Sequence, residues 1–207
     1  MKRFGIILFT VNFLFSNGFS SLKAEDEEIL SSEEHCVAYT TPEKILFFPK
    51  YLVIGKSCKI KAWVEINENK SKFKVKIPVN SFNSGISARD DDVMEILKAK
   101  NYPNILFETN WLSEDEIKNF FLDGLGEVNG VLTVSGRDYK ISFIMVISRK
   151  IKKYSFRTTI DSNYTFFKIT PPKLGIFAEV FNNIKIVVNL QSDQITGFEK
   201  VINLEYY

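Results

Sequence analysis

The stretch KFKVKIPV (72–79) alternates strictly. Phe73, Val75, Ile77 and Val79 are apolar, and Lys72, Lys74 and Lys76 between them are charged. Successive side chains of a β-strand point to opposite faces, so a period of two marks a strand with one buried and one wet face. KIKAWVEI (59–66) repeats the pattern, with Ile60, Ala62, Val64 and Ile66 on one face. NENKSK (67–72) joins the two runs as a hairpin turn. Further strand-like runs are NILFETNW (104–111), EVNGVLTVSG (127–136), YKISFIMVISR (139–149), YSFRTTI (154–160) and IKIVVNLQ (184–191). KILFF (44–48) and YLVI (51–54) read as strands broken at Pro49, and SGRDY (135–139) reads as a tight turn. Seven or more antiparallel strands at this spacing imply a sandwich or a barrel. With no repeat, low-complexity tract or Pro/Gly linker, the chain reads as one domain. FIMVI (143–147) is apolar on both faces, which predicts a covered exterior there, and a helix is one element able to cover it.

One such helix is predicted from Asp90 onward. Val93, Ile96, Leu97 and Lys100 follow helical spacing, and Tyr102-Pro103 closes the segment. Asp90, Asp91 and Asp92 at its start suit free backbone N–H groups and the helix dipole, and Lys98 and Lys100 suit the last turn. Local physics thus accounts for the acidic run. A Ca²⁺ loop needs further oxygen ligands at a D-x-D-x-D-G spacing, which is absent, so no metal site is expected. Ser113 and Glu116 have the spacing of a capping box before Ile117, Phe120 and Phe121. That segment is read either as a short second helix or as a long strand connection.

The N-terminus has the layout of a secretory signal peptide: basic MKR, the apolar run 4–15, then a small polar stretch suited to cleavage after Ser20 or Ala24. The apolar run is too short for a comfortable membrane span of about 20 residues. Residues 25–34 are acidic and are expected to be frayed. Removing residues 1–24 leaves 24 basic and 25 acidic residues, so the balance gives no electrostatic case for nucleic acid. SRKIKK (148–153) is a basic turn, either a solvated loop or a transient contact with an anionic membrane surface. In an exported chain, Cys36 and Cys58 favour a disulfide, with two separately buried thiols as the alternative. His35 is the single histidine. A Ser135–His35–Asp138 arrangement is therefore a poor candidate for a triad. No catalytic residue and no cofactor is expected.

Three segments together resemble the YceI-like family. ARDDDVMEILKAKNYPNILFET (88–109) is similar to its Arg-Asp, short helix and Tyr-Pro segment. GEVNGVLTVSGRDYKISFIMVI (126–147) is similar to its G-x-L-T strand, turn and strand. The run from Ile160 to Leu190, with Pro171-Pro172, is similar to its late segment. The His that often follows the Arg-Asp pair is replaced by Asp92 or Val93, and residues 192–207 have no counterpart. The resemblance implies an all-β fold: an extended antiparallel lipocalin-like β-barrel of about eight strands with a short helix packed across it. The division is then a signal peptide (1–24), an acidic flexible segment (25–35), the barrel (36–191) and a C-terminal extension (192–207).

The same resemblance implies an exported, periplasmic protein that holds a polyisoprenoid or other long-chain amphiphile inside the barrel and is not an enzyme. Secretion beyond the cell is the alternative. An interior of Phe, Ile, Leu and Val suits such a chain, since burying it gains about 0.8 kcal/mol per CH₂. The residues expected to line the tunnel are Phe73, Val75, Ile105, Phe107, Leu132, Val134, Phe143, Phe156, Ile186 and Val188. Arg89 and Asp90 are the matched polar pair. Arg89 either holds an anionic head group or links to Asp90 and pins the helix to the barrel. The competing functional reading is an interaction module with a filled barrel, since side chains alone can fill a small barrel. Whether two chains form a homodimer around one tunnel is left open.

Overall fold

The computed structural model describes residues 29–45, 50–151, 153–174 and 178–201. The expected signal segment (1–24), residues 46–49 and residues 202–207 lie outside it. The described strands are β1 (Cys36–Ile45), β2 (Tyr51–Ser57), β3 (Lys61–Asn67), β4 (Lys70–Pro78), β5 (Asn104–Thr109), β6 (Leu112–Ser113), β7 (Leu125–Val134), β8 (Arg137–Lys150), β9 (Lys153–Asn163), β10 (Lys173–Leu174), β11 (Ala178–Val180), β12 (Asn183–Gln191) and β13 (Ile195–Thr196). The helices are α1 (Ser87–Ile96) and α2 (Glu114–Asp123). Neighbouring strands run antiparallel in the order β2-β1-β12-β9-β8-β7-β5-β4-β3, and β13 adds in parallel to β3. The sheet curls into a lipocalin-like barrel. Paired backbone bonds between Lys56 and Asn83 tie the free edge of β2 to the chain beyond β4. The strand count exceeds the expected eight because β6, β10, β11 and β13 are two- or three-residue pieces.

The alternation read from sequence sets the wall. On β4, Phe73, Val75 and Ile77 face inward, while Lys72 and Lys74 pair outside with Glu65 and Glu108. On β8, Ile141, Phe143, Met145 and Ile147 face inward. Ile144 lies outside and is 53% exposed, so no helix covers this stretch of wall. Both helices instead close the ends of the barrel.

Helix α1 begins earlier than the aspartates suggest. It starts at Ser87 behind Ile86, which offers no side-chain cap, and only Asp90 falls in its first turn. Asp90 Oδ1 accepts from the backbone N–H of Ser84, outside the helix. The helix stops at Ile96, so Lys98 and Lys100 lie beyond its last turn. Lys98 is left-handed at φ 54°. Its N–H bonds Glu95 O, and the N–H of Ala99 bonds Met94 O, which is a Schellman stop with Lys where Gly is usual.

The 113–123 segment is helical and carries the capping box. Glu116 N donates to Ser113 Oγ at 3.3 Å, and Ser113 N donates to Glu116 Oε2 at 2.8 Å. Phe120 lies flat against Gly126, where a Cβ would come within 2.2 Å of its ring.

Cys36 and Cys58 form a disulfide across 22 residues, joining the start of β1 to the chain beyond β2.

Residues 29–35 are packed, in contrast to the frayed segment that their charge suggests. Ile29 and Leu30 bury against Cys36, Ala38 and Val187 on the outer face. Asn189 Nδ2 donates to Ser31 O and Glu34 O, and Gln191 Nε2 donates to Ser32 O. The apolar pair and these amides outweigh the cost of holding the acids, two of which meet lysines: Glu34 pairs with Lys56, and Glu33 pairs with Lys150 and Lys153. The basic 148–153 turn is therefore partly neutralised, and Ile151 at its tip is 92% exposed. The described part of the C-terminal extension, residues 192–201, is likewise packed. Ile195 and Phe198 join the main core.

Candidate functional site

The described residues of the barrel line an apolar cavity of about 260 Å³. Eleven of the twelve residues expected at the site face it: Phe73, Val75, Arg89, Ile105, Phe107, Leu132, Val134, Phe143, Phe156, Ile186 and Val188. The register explains the convergence. Val75 lies opposite Phe107, Phe107 opposite Leu132, and Phe156 opposite Leu190, so inward positions of successive strands form continuous belts. Asp90 is the exception. Its carboxylate accepts from the backbone N–H of Ser84, and Asp92 lines the cavity instead.

The cavity has two unlike ends. At one, Phe121 of α2 meets Tyr154, Phe156 and Phe198 with ring centroids 4.8, 6.0 and 6.2 Å away. Ile117, Ile147, Leu190 and Ile195 join this aromatic plug. At the other end α1 lies across the opening and contributes Arg89, Asp92, Val93 and Ile96 to the lining. This helix buries none of its residues. Ser135 Oγ donates to Leu97 O at 2.9 Å and ties down its C-terminal end.

The mouth carries the charge. The inward positions of β1 run Val37, Tyr39, Thr41, Glu43, from apolar to ionic. The Glu43 side chain is 3% exposed, and Arg89 Nη2 reaches its Oε2 at 3.4 Å. Arg89 is thus linked to β1 rather than to Asp90. Tyr51 stands opposite Glu43, where burial and the neighbouring carboxylate raise its phenol pKa. Sequence reading missed Glu43 and Tyr39 because the β1 sequence shows no apolar–polar alternation: Thr40, Thr41 and Glu43 are polar, with only Pro42 between them.

The Ser135, His35 and Asp138 side chains are committed elsewhere. Ser135 holds α1, His35 Nδ1 accepts from Gln191 N, and Asp138 accepts from Thr133 Oγ1. Among the described residues, the group closest to a metal-ligand cluster is Glu34 with Cys36 and Cys58, whose sulfurs are bonded to each other.

The chain matches a known family model, the YceI-like domain, over residues 48–192. The chain belongs to the YceI-like family. Solved structures agree on the fold. BcnA of Burkholderia cenocepacia superposes with a TM-score of 0.56 at 18% identity, covering 75% of this chain and 95% of that one. A polyisoprenoid binding domain from Saccharophagus degradans, implicated in plant cell wall breakdown, gives 0.54 at 10% identity, covering 75% and 92%. A variant of the Campylobacter jejuni YceI protein, solved with a monobromobimane guest, gives 0.54 at 19% identity, covering 72% and 88%. No curated protein sequence matches the chain. The match begins at residue 48, so β1 lies ahead of it.

Proposed function

We propose that this YceI-like protein is an exported, non-catalytic carrier that holds one long-chain isoprenoid or similar amphiphilic lipid, tail inward, in its barrel. The cavity carries the proposal: a belt-lined apolar channel, plugged at the Phe121–Phe198 end and polar at the α1 end. A twenty-carbon chain buried there would gain about 15 kcal/mol gross, at ~0.8 kcal/mol per CH₂. Association costs of about 4–15 kcal/mol leave that sufficient for binding. The ten apolar residues expected from sequence would hold the tail, and Arg89 would stand near the head. Export is supported by the signal-like N-terminus and by the Cys36–Cys58 bond, a feature of oxidising compartments such as the periplasm.

Mass spectrometry of lipid extracted from natively purified protein tests this reading. A stoichiometric long-chain lipid is the expected result. Protein that carries none, and that takes up no C20 isoprenoid when one is offered, would leave the filled-barrel interaction module as the better description.

A further inference from the structure

Tyr39 Oη is buried and has no hydrogen-bond partner among the described residues. Its ring faces the cavity, edge to face with Phe82 at 5.5 Å. It also leans over Gly55, where a Cβ would come within 2.2 Å of the ring, so the absence of a side chain at 55 permits this pose. The cavity's threonines differ from it. Thr41 Oγ1 donates to Asn183 O, Thr158 Oγ1 donates to Ile144 O, and Thr109 Oγ1 accepts from Phe73 N. A buried hydroxyl without a partner is costly. One that points into an otherwise apolar channel is satisfied when a ligand brings an acceptor.

The charges at the same end restrict what that acceptor can be. Glu43 and Asp92 both line the cavity, against Arg89 as the one cation among the described lining residues, and Arg89 is already engaged by Glu43. An anionic head group would enter beside two carboxylates and meet a guanidinium whose charge is spent. We infer that the mouth selects an uncharged, hydrogen-bonding head group, a hydroxyl or carbonyl oxygen that accepts from Tyr39 Oη, and disfavours phosphates and diphosphates. This rests on the lipid-carrier reading and names the class of lipid. Burial of Tyr39 pushes its phenol pKa upward, which keeps it a donor.

The test uses purified protein freed of lipid and three C20 isoprenoids: geranylgeraniol, geranylgeranyl diphosphate and the hydrocarbon phytane. Calorimetric titration should find the alcohol bound at least tenfold more tightly than the diphosphate. Tyr39→Phe should weaken the alcohol roughly 3–10-fold, the effect of one hydrogen bond. It should leave phytane unchanged and should not lower the melting temperature, which a merely structural tyrosine would do. Glu43→Gln should narrow the gap between alcohol and diphosphate, and Asp92→Asn provides the same test at an exposed helix. A wild-type protein that prefers the diphosphate, or a Tyr39→Phe variant that binds the alcohol as before, overturns the head-group inference alone. Failure of all three compounds to bind overturns the lipid reading beneath it.

Discussion

Phe198 and Phe156 meet edge to face, with ring centroids 5.5 Å apart at an interplanar angle of 68°. The contact brings a 3-10 turn at the C-terminal end of the described chain against the inner wall of β9. It is one of three ring contacts by which Phe121, Phe156 and Phe198 close one another in, and Phe198 is almost fully buried.

Phe198→Ala should therefore act twice. Truncating a buried Phe costs about 3–5 kcal/mol, which a denaturant titration would read. Lipid should also leave the variant faster than the native protein in a stopped-flow transfer assay, because the plugged end is loosened. A slower or unchanged off-rate would remove the plug from the account.

Phe143 sits 5.5 Å from Phe107 on the cavity wall. In a hollow barrel, Phe143→Trp fills vacant volume, lowering lipid affinity while the thermal stability of the empty protein holds or rises. In a packed core the same change would overpack and cost about 1–3 kcal/mol. Measuring both quantities on lipid-free protein separates the two cases.

Much of this wall was legible in the sequence because period two survives burial. Phe73, Val75 and Ile77 alternate with lysines, and strand pairing carries them to one interior. The ends were not legible. Glu43 reads as an ordinary surface acid until α1 brings Arg89 to it from 46 residues away. Phe198 lies in a 3-10 turn too short to show a period. The Ile29-Leu30 pair is masked by the acids around it, and its burial depends on amides of β12 that the local sequence does not reveal. The aspartates suggested the start of α1, but the chain before them, turning through Ser84 and Gly85, begins the helix three residues early.

The Lys98 stop offers a stabilising change. A non-glycine residue in the left-handed region costs about 1–2 kcal/mol, part of which glycine returns as unfolded-state entropy. Lys98→Gly should raise stability by about 0.5–1 kcal/mol, seen as a higher melting temperature. A lower one would show that the Lys98 side chain matters more than its backbone.

His35 predicts a pH dependence. The ring is 7% exposed, and burial holds its pKa below the ordinary 6.5, while the nearby Asp193 carboxylate pulls the other way. Its neutral Nδ1 accepts from Gln191 N, a bond that protonation removes. Above about pH 6.5 the unfolded and folded rings are both neutral and stability is complete. Below it the unfolded ring takes up a proton first, and stability falls as pH drops toward the folded pKa. Glu33, Glu34, Glu65 and Glu116, whose pKa values are lowered from 4.5, lose their contributions only at more acidic pH. Melts between pH 8 and 5 should show the decline, and His35→Gln should flatten it. An equal slope in the variant would assign the effect to another group.

Removing the Cys36–Cys58 bond should cost about 2–4 kcal/mol, on the scale expected for a loop of this length. The double serine variant should melt correspondingly lower. Native protein unfolded without reductant should show no free thiol.

The plug also fixes a length. Phe121, packed on Phe198, lines the cavity at one end, and Glu43 and Arg89 line it at the other. For a tail that enters at the mouth, the barrel is a ruler. Chains shorter than its depth leave apolar wall uncovered, while longer ones must either fold back or hold their head group out in water.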